Sequence, residues 1–254
     1  MGPGLIREWL GGIGAIAIFC REIISSLSHA RLSFGDLVYQ IFFVGVKSQS
    51  VVLITGAFTG LVLCAQTYFQ FHKFKADPAT LAVVSVGMAS ELGPVLTALM
   101  VAGRVGASIA AELGTMRVTE QIDALRTLAA HPIDYLVLPR TLATVIALPL
   151  LTAEAVALGI LAAFGLGVLV FDIDFGNAFW NMLRYTGASD FLRGFIKAGV
   201  FGAVIAVVGC YKGMNCPQGA EGVGKATTEA VVYSSIAILI GNFALTMILT
   251  KLLS

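Results

Sequence analysis

Long apolar runs separated by short charged segments cover most of this chain. Five of these runs approach or exceed the roughly 20 apolar residues that a helix needs to cross a bilayer. They lie at residues 51–71, 81–103, 141–171, 195–211 and 230–250. The pattern predicts an all-α membrane protein with five transmembrane helices.

The segment before the first span has a different pattern. The apolar run at residues 9–19 is too short to cross a membrane and has charged residues on both sides. It fits an interfacial helix that lies along the inner membrane surface, and residues 33–49 continue it as an amphipathic lead-in. We therefore divide the chain into an N-terminal interfacial segment, residues 1–49, and a five-span domain, residues 50–254.

A charged amphipathic segment separates the second and third spans. Residues 117–129 fit one helix, which Pro132 ends. Its two faces are formed by Val118, Ile122, Leu125 and Ala129 on the apolar side, and by Glu120, Asp123 and Thr127 on the polar side. The apolar face can rest on the protein or membrane while the polar face docks on a cytoplasmic partner. An ordinary solvated loop helix has the same pattern.

Two acidic residues interrupt the apolar runs. Glu91 lies in the second span, where the nearby Pro94 removes a helical hydrogen bond and makes the helix deformable. Glu154 lies in the third span, with Lys197 of the fourth span as a candidate partner. An ionised carboxylate in lipid is costly unless it is paired or hydrated, so both acids predict a polar cavity or an interhelical contact. The alternatives are a protonated packing carboxyl for Glu91 and, for Glu154, a hydrated pocket or a hydrogen bond to Thr152.

The outer end of the first span is rich in amide and aromatic side chains, among them Gln66 and Phe71. Such groups fit plain interfacial anchoring, or the mouth of a lipid-binding cavity. Small residues also recur at spacings of four, as at Gly56 and Gly60. This spacing predicts close helix packing within the chain or between two copies.

Composition excludes several classes of protein. Because 57% of the residues are hydrophobic and 12% are charged, lipid is the natural solvent. The net charge of +1, without a basic patch, argues against nucleic acid. The four cysteines have no metal-ligand spacing, and we expect no metal or cofactor in this chain.

The segment 219–226 nearly matches a phosphate-binding loop. Ala226 stands where that loop needs a hydroxyl to bind magnesium, and no strand precedes it. We therefore expect a Gly-rich cytoplasmic turn before the fifth span, with Thr227 or Thr228 as the N-cap.

The distribution of basic residues predicts the orientation. With the N-terminus in the cytoplasm, ten of the 16 Lys and Arg residues fall on the inner side and six on the outer side. Basic residues favour the cytoplasmic side of short loops, so we expect a multi-pass protein with its N-terminus inside.

Several motifs act together as a signature. They are Glu91-Leu92-Gly93-Pro94, Ala102-Gly103-Arg104-x-Gly106, Ala111-Glu112-Leu113-Gly114-x-Met116, Thr119-Glu120-Gln121-Ile122-Asp123-Ala124-Leu125, Pro139-Arg140, Leu148-Pro149-Leu150-Leu151 and Gly222-Val223-Gly224-Lys225. In this combination, over residues 34–254, the chain resembles the MlaE-type permeases, membrane subunits of ABC transporters that work with MCE-domain proteins in lipid trafficking. Ser90 departs from the pattern, because better-known members often place Arg there.

The resemblance implies a homodimer in a bacterial inner membrane, with a lipid cavity at the dimer interface that opens toward an MCE-protein ring on the outer side. It implies that residues 117–129 are a coupling helix seated on a separate cytoplasmic ATPase, which binds ATP and magnesium. Phospholipid is the implied cargo, and a small STAS-type regulatory subunit is a further candidate partner.

Pattern and resemblance together assign two sets of site residues. The ATPase contact is assigned to Glu112, Met116, Arg117, Thr119, Glu120, Gln121, Asp123 and Ala124. The lipid cavity or gate is assigned to Leu63, Gln66, Phe71, Glu91, Leu92, Pro94, Arg104 and Glu154. We expect motion at the coupling helix to reach Glu91 and Pro94 through Arg104 and Glu112.

Two other classes of function compete with a transport permease. A lipid-modifying membrane enzyme is suggested by His72 and Asp77, which have the HxxxxD spacing of acyltransferases. A non-transporting scaffold is the second alternative, but a scaffold gains little from costly acids within its spans.

Overall fold

The structure is a computed structural model that describes residues 3–29 and 34–252, with side chains described over residues 14–27 and 34–252. Within these residues all regular structure is helical. The α-helices are, in chain order, α1 (Pro3–His29), α2 (Phe34–Val44), α3 (Val46–His72), α4 (Thr80–Gly87), α5 (Gly93–Val101), α6 (Ala107–Val118), α7 (Gln121–Thr127), α8 (Leu138–Leu169), α9 (Phe175–Tyr185), α10 (Ala188–Met214) and α11 (Ala220–Leu252).

Five stretches of the described chain are long and apolar enough to cross a membrane. They are Phe34–His72, Asp77–Val118, Ile133–Leu169, Ala188–Met214 and Ala220–Leu252, which we number as spans one to five. Each overlaps one of the predicted apolar runs, and the third run, residues 141–171, extends two residues beyond its span. The prediction of an all-α membrane protein with five spans is therefore confirmed.

The N-terminal helix α1, Pro3–His29, is longer than the predicted run at residues 9–19. Its second half packs on the helical bundle, where the ring of Phe19 meets Tyr211 edge-on with 5.7 Å between ring centroids. The interfacial position of α1 and the division of the chain after residue 49 stay predictions.

The first and third spans cross at glycines. A Cβ atom on Gly60 would lie 2.1 Å from the carbonyl oxygen of Gly159, and one on Gly56 would lie 2.6 Å from that of Ala155. The two backbones therefore touch, which strengthens dispersion between helices that gain no hydrophobic drive from lipid. Close packing of small residues within the chain is confirmed at these positions.

The second span is built from α4, α5 and α6, joined by two π-helical turns at Met88–Leu92 and Ala102–Gly106. A π turn shifts the face that the following helix presents, and such turns are frequent at functional sites. The first turn lies just before Pro94, which has no N–H and therefore interrupts the α-helical hydrogen bonds at that point.

The charged segment after the second span is bent. Glu120 has a left-handed backbone with a φ of 59°, and α7 covers Gln121–Thr127. The predicted single helix over residues 117–129, ended by Pro132, is therefore wrong in its bounds. Ile122, in the first turn of α7 after this bend, is buried in the apolar core. We call residues 117–129 the elbow.

The Gly-rich segment before the fifth span is mostly helix. α11 begins at Ala220, directly after Gly219, whose φ of 90° glycine adopts readily. The hydroxyls of Thr227 and Thr228 donate to the Gly224 carbonyl at 2.6 and 3.1 Å, inside the helix. The prediction that either threonine is the N-cap of this helix is therefore wrong.

The spans give the molecule two ends. The α7 end holds the elbow, the connection between α10 and α11, and the contact of α1, where the Ser26 hydroxyl donates a hydrogen bond to Asp134. The α9 end holds the connection between the first two spans, α9 itself and the C-terminal part of α11. α9 was not predicted from the sequence.

Candidate functional site

A buried ion pair joins the second and fourth spans. The ammonium group of Lys197 lies 2.7 Å from a carboxylate oxygen of Glu91, and the Lys197 side chain is 1% exposed. Gly194 lets α10 approach the second span so closely that a Cβ atom there would lie 2.2 Å from the Ala89 carbonyl oxygen. A charge at this depth requires a counter-charge or water, and each of these two residues supplies it for the other.

A backbone carbonyl and a hydroxyl complete the surroundings of the lysine. Lys197 donates to the carbonyl oxygen of Ser90 at 3.1 Å and to the hydroxyl of Thr246 at 2.8 Å. The Ser90 carbonyl is free for this contact because Pro94, four residues later, has no N–H. The proline therefore provides an acceptor for the lysine.

The carboxylate of Glu91 also reaches the fifth span. The hydroxyl of Thr246 lies 3.2 Å from both carboxylate oxygens, and Nδ2 of Asn242 donates to one of them at 3.2 Å. Glu91 remains 36% exposed, and the buried Oδ1 of Asn242 has no hydrogen-bond partner within the described residues. This polar cluster ties three spans together and keeps an accessible edge.

Glu154 lies apart from the polar cluster. It is exposed on α8, on the same face as Leu150 and Leu161, and forms no hydrogen bond or ion pair with the described residues. The predicted pairing of Glu154 with Lys197 is wrong. The close approach of α10 to the second span brings Lys197 to Glu91 instead.

An open cleft lies between α3 and the first π turn of the second span. It encloses about 330 Å³ and is lined by Phe58, Thr59, Val62, Leu63, Gln66 and Leu92. Small-molecule sites have volumes of about 300–1,000 Å³, so the cleft has room for an apolar chain. Leu92, which lines the cleft, directly follows Glu91, so the cleft and the polar cluster share the first π turn.

The sequence analysis selected three of the cleft residues, Leu63, Gln66 and Leu92. It missed Phe58, Thr59 and Val62. Helical spacing was the available signal, since Thr59, Leu63 and Gln66 recur at intervals of three or four residues. Phe71 does not line the cleft and lies nearer the α9 end, where Tyr68 and Phe171 stack with 4.1 Å between ring centroids.

Two charged side chains link the second span to its neighbours on the way to the elbow. Arg104, in the second π turn, donates to the hydroxyl of Ser48 at 2.6 Å and to the Phe43 carbonyl at 3.4 Å. Glu112 accepts a hydrogen bond at 3.2 Å from Arg140, near the start of α8. The second span is therefore linked to the first through Arg104 and to the third through Glu112.

The elbow contains one free acid and one paired acid. Glu120 and Gln121 are exposed, and the Glu120 carboxylate has no partner among the described side chains. Asp123, in contrast, accepts hydrogen bonds from Arg117 at 2.8 Å on both oxygens and from Arg126 at 3.0 Å. Asp123 therefore stabilises the bend of the elbow, and Glu120 is the acid available for a partner.

The other elbow residues divide between surface and core. Thr119 and Ala124 are exposed, whereas Met116, which directly precedes the elbow, packs against the buried core. Leu128, which the sequence analysis did not select, is 77% exposed. Ala129, predicted to lie on the apolar face, is exposed because its left-handed backbone, with a φ of 57°, falls after the end of α7.

A cysteine packs beneath the elbow. Sγ of Cys216 lies 3.9 Å from the Gly114 carbonyl oxygen. Burial raises the pKa of Cys216, and the Arg117 guanidinium opposes this rise. The thiol is therefore protonated in neutral solution and poorly nucleophilic.

His72 and Asp77, the two residues whose spacing suggested a membrane enzyme, are in contact. Nδ1 of His72 lies 3.1 and 3.2 Å from the two carboxylate oxygens of Asp77. The His72 side chain is 63% exposed at the α9 end. The contact ties the end of α3 to the short 3₁₀ turn Asp77–Ala79, which gives the pair a structural role.

A five-span helical protein with a polar cluster inside its spans, a cleft beside that cluster and a charged elbow at one end has the architecture of a transporter membrane subunit. A family model described as Permease MlaE matches residues 37–248. The chain belongs to the MlaE permease family.

Individual relatives agree with this assignment. The chain is 44% identical over 239 residues to a probable ABC transporter permease protein of Rickettsia bellii, covering 94% of this chain and 92% of that protein. It is 36% identical over 221 residues to the intermembrane phospholipid transport system permease protein MlaE of Haemophilus influenzae, covering 86% and 84%. It is 36% identical over 231 residues to the protein TRIGALACTOSYLDIACYLGLYCEROL 1, chloroplastic, of Arabidopsis thaliana, covering 91% and 66%. The chain is a multi-pass membrane permease, and the family indicates a transporter subunit rather than an enzyme.

Proposed function

We propose that this chain is the permease subunit of an ABC transporter that moves phospholipid between a bacterial inner membrane and an MCE-domain partner on its outer side. The observation that carries the proposal is the cleft beside the Glu91–Lys197 pair, in a span that continues without interruption to the exposed elbow. The name of the Haemophilus relative, an intermembrane phospholipid transport permease, supports the choice of cargo.

A separate cytoplasmic ATPase supplies the energy in this proposal, and it binds ATP and magnesium. It docks on the elbow, where Glu120, Gln121 and Ala124 are exposed, at the end of the molecule that α1 contacts. The names of the Rickettsia relatives, probable ABC transporter permeases, support this partner.

Motion at the elbow reaches the cleft along the second span. α6 continues this span directly from the elbow, and Glu112 and Arg104 connect it to its neighbours. The two π turns are the points where the helix can change its facing with little loss of hydrogen bonding. Because the first π turn carries both Glu91 and Leu92, a shift there changes the polar cluster and the cleft together.

A second copy of the chain completes the cavity in this proposal. α11 is the least buried of the five spans. In its apolar 18-residue stretch, 11% of the residues are buried. In this proposal a homodimer covers this helix, and the lipid path between the two copies leads to an MCE-protein ring. A small STAS-type regulatory subunit stays a prediction.

The test is transfer of a labelled phospholipid to the MCE-domain partner by the reconstituted complex, measured together with ATP hydrolysis. Glu120→Lys reverses the free charge of the elbow. We expect transfer to fall about tenfold or more, as loss of about 1.4 kcal/mol of docking energy would cause. Glu22→Lys is the matched control, since Glu22 is an exposed acid on α1 outside the elbow.

Each alternative function gives a different result in this assay. Full transfer with Glu120→Lys would contradict the docking site. Transfer that continues without nucleotide would contradict an ATP-driven permease, and no transfer by any complex would favour a scaffold. A change in the mass of the lipid, lost in His72→Ala, would favour an enzyme.

A further inference from the structure

An apolar face of α9 is largely exposed, with one contact to the third span, where the ring of Phe175 meets Phe164 edge-on with 5.3 Å between ring centroids. Phe175, Phe179 and Leu183 recur every four residues and therefore share one side of the helix, with Trp180 at its edge. All four side chains are exposed, Trp180 by 71%. Large exposed apolar surfaces mark contact with another protein or with a membrane.

The opposite face of α9 is fixed to the second span. Ala178 is fully buried, and Nδ2 of Asn181 donates to the Pro78 carbonyl at 3.2 Å. The hydroxyls of Thr186 and Ser85 form a further hydrogen bond just beyond the helix. Because these contacts set the rotation of α9, its aromatic face is held outward.

Short connections hold both ends of α9 beside the ends of two spans. Residues 170–174 link it to the third span, and residues 186–187 link it to the fourth. Exposed apolar side chains continue onto both spans, at Leu169 on one side and at Leu192 on the other. Exposed apolar side chains therefore lie beyond both ends of the aromatic face, at the end of the molecule where α9 joins two spans.

We propose that the aromatic face of α9 is seated in the headgroup layer of the membrane and anchors the adjoining end of the second span to lipid. Trp favours this layer, and an amphipathic helix with Trp, Phe and Leu on its apolar face lies in the plane of the layer. Arg184, four residues after Trp180, flanks the face and is placed to reach lipid phosphate. This inference is independent of the cargo, the ATPase and the direction of transport.

The anchor divides the second span into two parts. The part from Asp77 to Gly87 is held by α9 and therefore by the membrane surface. Glu91 lies in the first π turn. The part of the span beyond this turn has no such attachment to α9. In the transport cycle proposed above, this division would confine motion that starts at the elbow to the part of the span beyond the anchor.

Tryptophan fluorescence tests the proposal directly. The chain has two tryptophans, so Trp9→Phe leaves Trp180 as the single emitter. The full-length variant is reconstituted into phosphatidylcholine vesicles that contain lipid brominated either near the headgroup or near the end of the acyl chain. We expect shallow bromine to quench Trp180 about twofold more than deep bromine, as for a ring at the interface, and aqueous acrylamide to quench it weakly.

Several results would overturn the proposal. Emission typical of water with strong acrylamide quenching would place the face in solvent. Stronger quenching by deep bromine would place Trp180 in the hydrocarbon core. Protection that appears only when the MCE-domain partner is added would assign the face to a protein instead.

Two further variants of α9 distinguish loss of the anchor from misfolding of the protein. Phe175→Ser combined with Phe179→Ser removes most of the apolar face, and acrylamide quenching of Trp180 should rise at least about twofold. Asn177→Ser, on a face that is neither buried nor apolar, should leave the quenching unchanged. Both proteins must elute as the parent does in size-exclusion chromatography, and unchanged quenching in the double variant would also overturn the anchor.

Discussion

Replacing Lys197 by methionine tests whether the buried ion pair holds the spans together. The substitution keeps a long side chain of similar shape and removes the ammonium group that lies 2.7 Å from Glu91. Glu91 then keeps the weaker contacts to Thr246 and Asn242, both at 3.2 Å. The carbonyl oxygen of Ser90 loses its donor at the same time.

The expected loss of stability follows from the burial of the pair. Removing one member of a buried ion pair costs about 3–5 kcal/mol. Because Glu91 is 36% exposed and can be hydrated, we expect the lower end of this range, about 3 kcal/mol. For a chain of this size the thermal midpoint should fall by about 6–12 °C. Glu91→Gln should cost at least as much, since Lys197 is 1% exposed and would lose its counter-charge.

The double variant, Glu91→Gln with Lys197→Met, separates pairing from simple damage. It leaves no uncompensated charge, and we expect it to recover most of the lost stability, with a coupling energy that exceeds the cost of either single substitution. Midpoints are compared in one detergent at one heating rate, because membrane proteins often unfold irreversibly. If each single substitution lowers the midpoint only slightly and the two losses add in the double variant, the pairing is refuted.

The same variants separate stability from transport. If the ion pair belongs to the gate, the double variant recovers stability and still transfers lipid slowly. If the pair is only a packing element, transfer recovers together with the thermal midpoint.

The remaining predictions concern packing, the cleft and the thiol beneath the elbow. Gly60→Ala should lower the thermal midpoint by at least about 4 °C, because the new Cβ would lie 2.1 Å from the Gly159 oxygen. Gly165→Ala is the control and should leave the midpoint unchanged, because a Cβ there has nothing within 4 Å. Equal midpoints for the two variants would contradict the close crossing of the first and third spans. Leu63→Trp fills the cleft and should reduce the phospholipid that co-purifies, measured by mass spectrometry, whereas Val83→Trp at an exposed site outside the cleft is the control. In a variant with Cys216 as its one cysteine, maleimide labelling should be slow at neutral pH and accelerate as the pH rises. Burial raises the pKa of this thiol and therefore leaves little thiolate at neutral pH. Rapid labelling at neutral pH would contradict that burial.

The five spans could be predicted because a bilayer imposes a minimum apolar length, which is a local property of the sequence. The ends of the helices could not, since α11 begins at Ala220, ten residues before its apolar run. α9 escaped prediction because its aromatic residues occupy one face of a helix too short to cross a membrane. Its role depends on the neighbouring spans.

Partner choice within the membrane was beyond local reasoning. The acids Glu91 and Glu154 were both identified from their cost in lipid, but the rotation of α10 decides which of them meets Lys197. That rotation depends on the close approach at Gly194, a tertiary contact. The bend of the elbow likewise depends on the burial of Ile122 against distant residues.

The most direct test of a nucleotide-driven lipid conduit is photo-crosslinking within the cleft. A photoreactive amino acid replaces Leu63 in the reconstituted complex, and the phospholipid captured is compared between the nucleotide-free state and the state trapped with ATP and vanadate. Leu161, exposed on α8 away from the cleft, reports ordinary bilayer lipid. We predict that nucleotide trapping changes capture at position 63 and leaves capture at position 161 unchanged; equal capture at position 63 in both states would contradict the account.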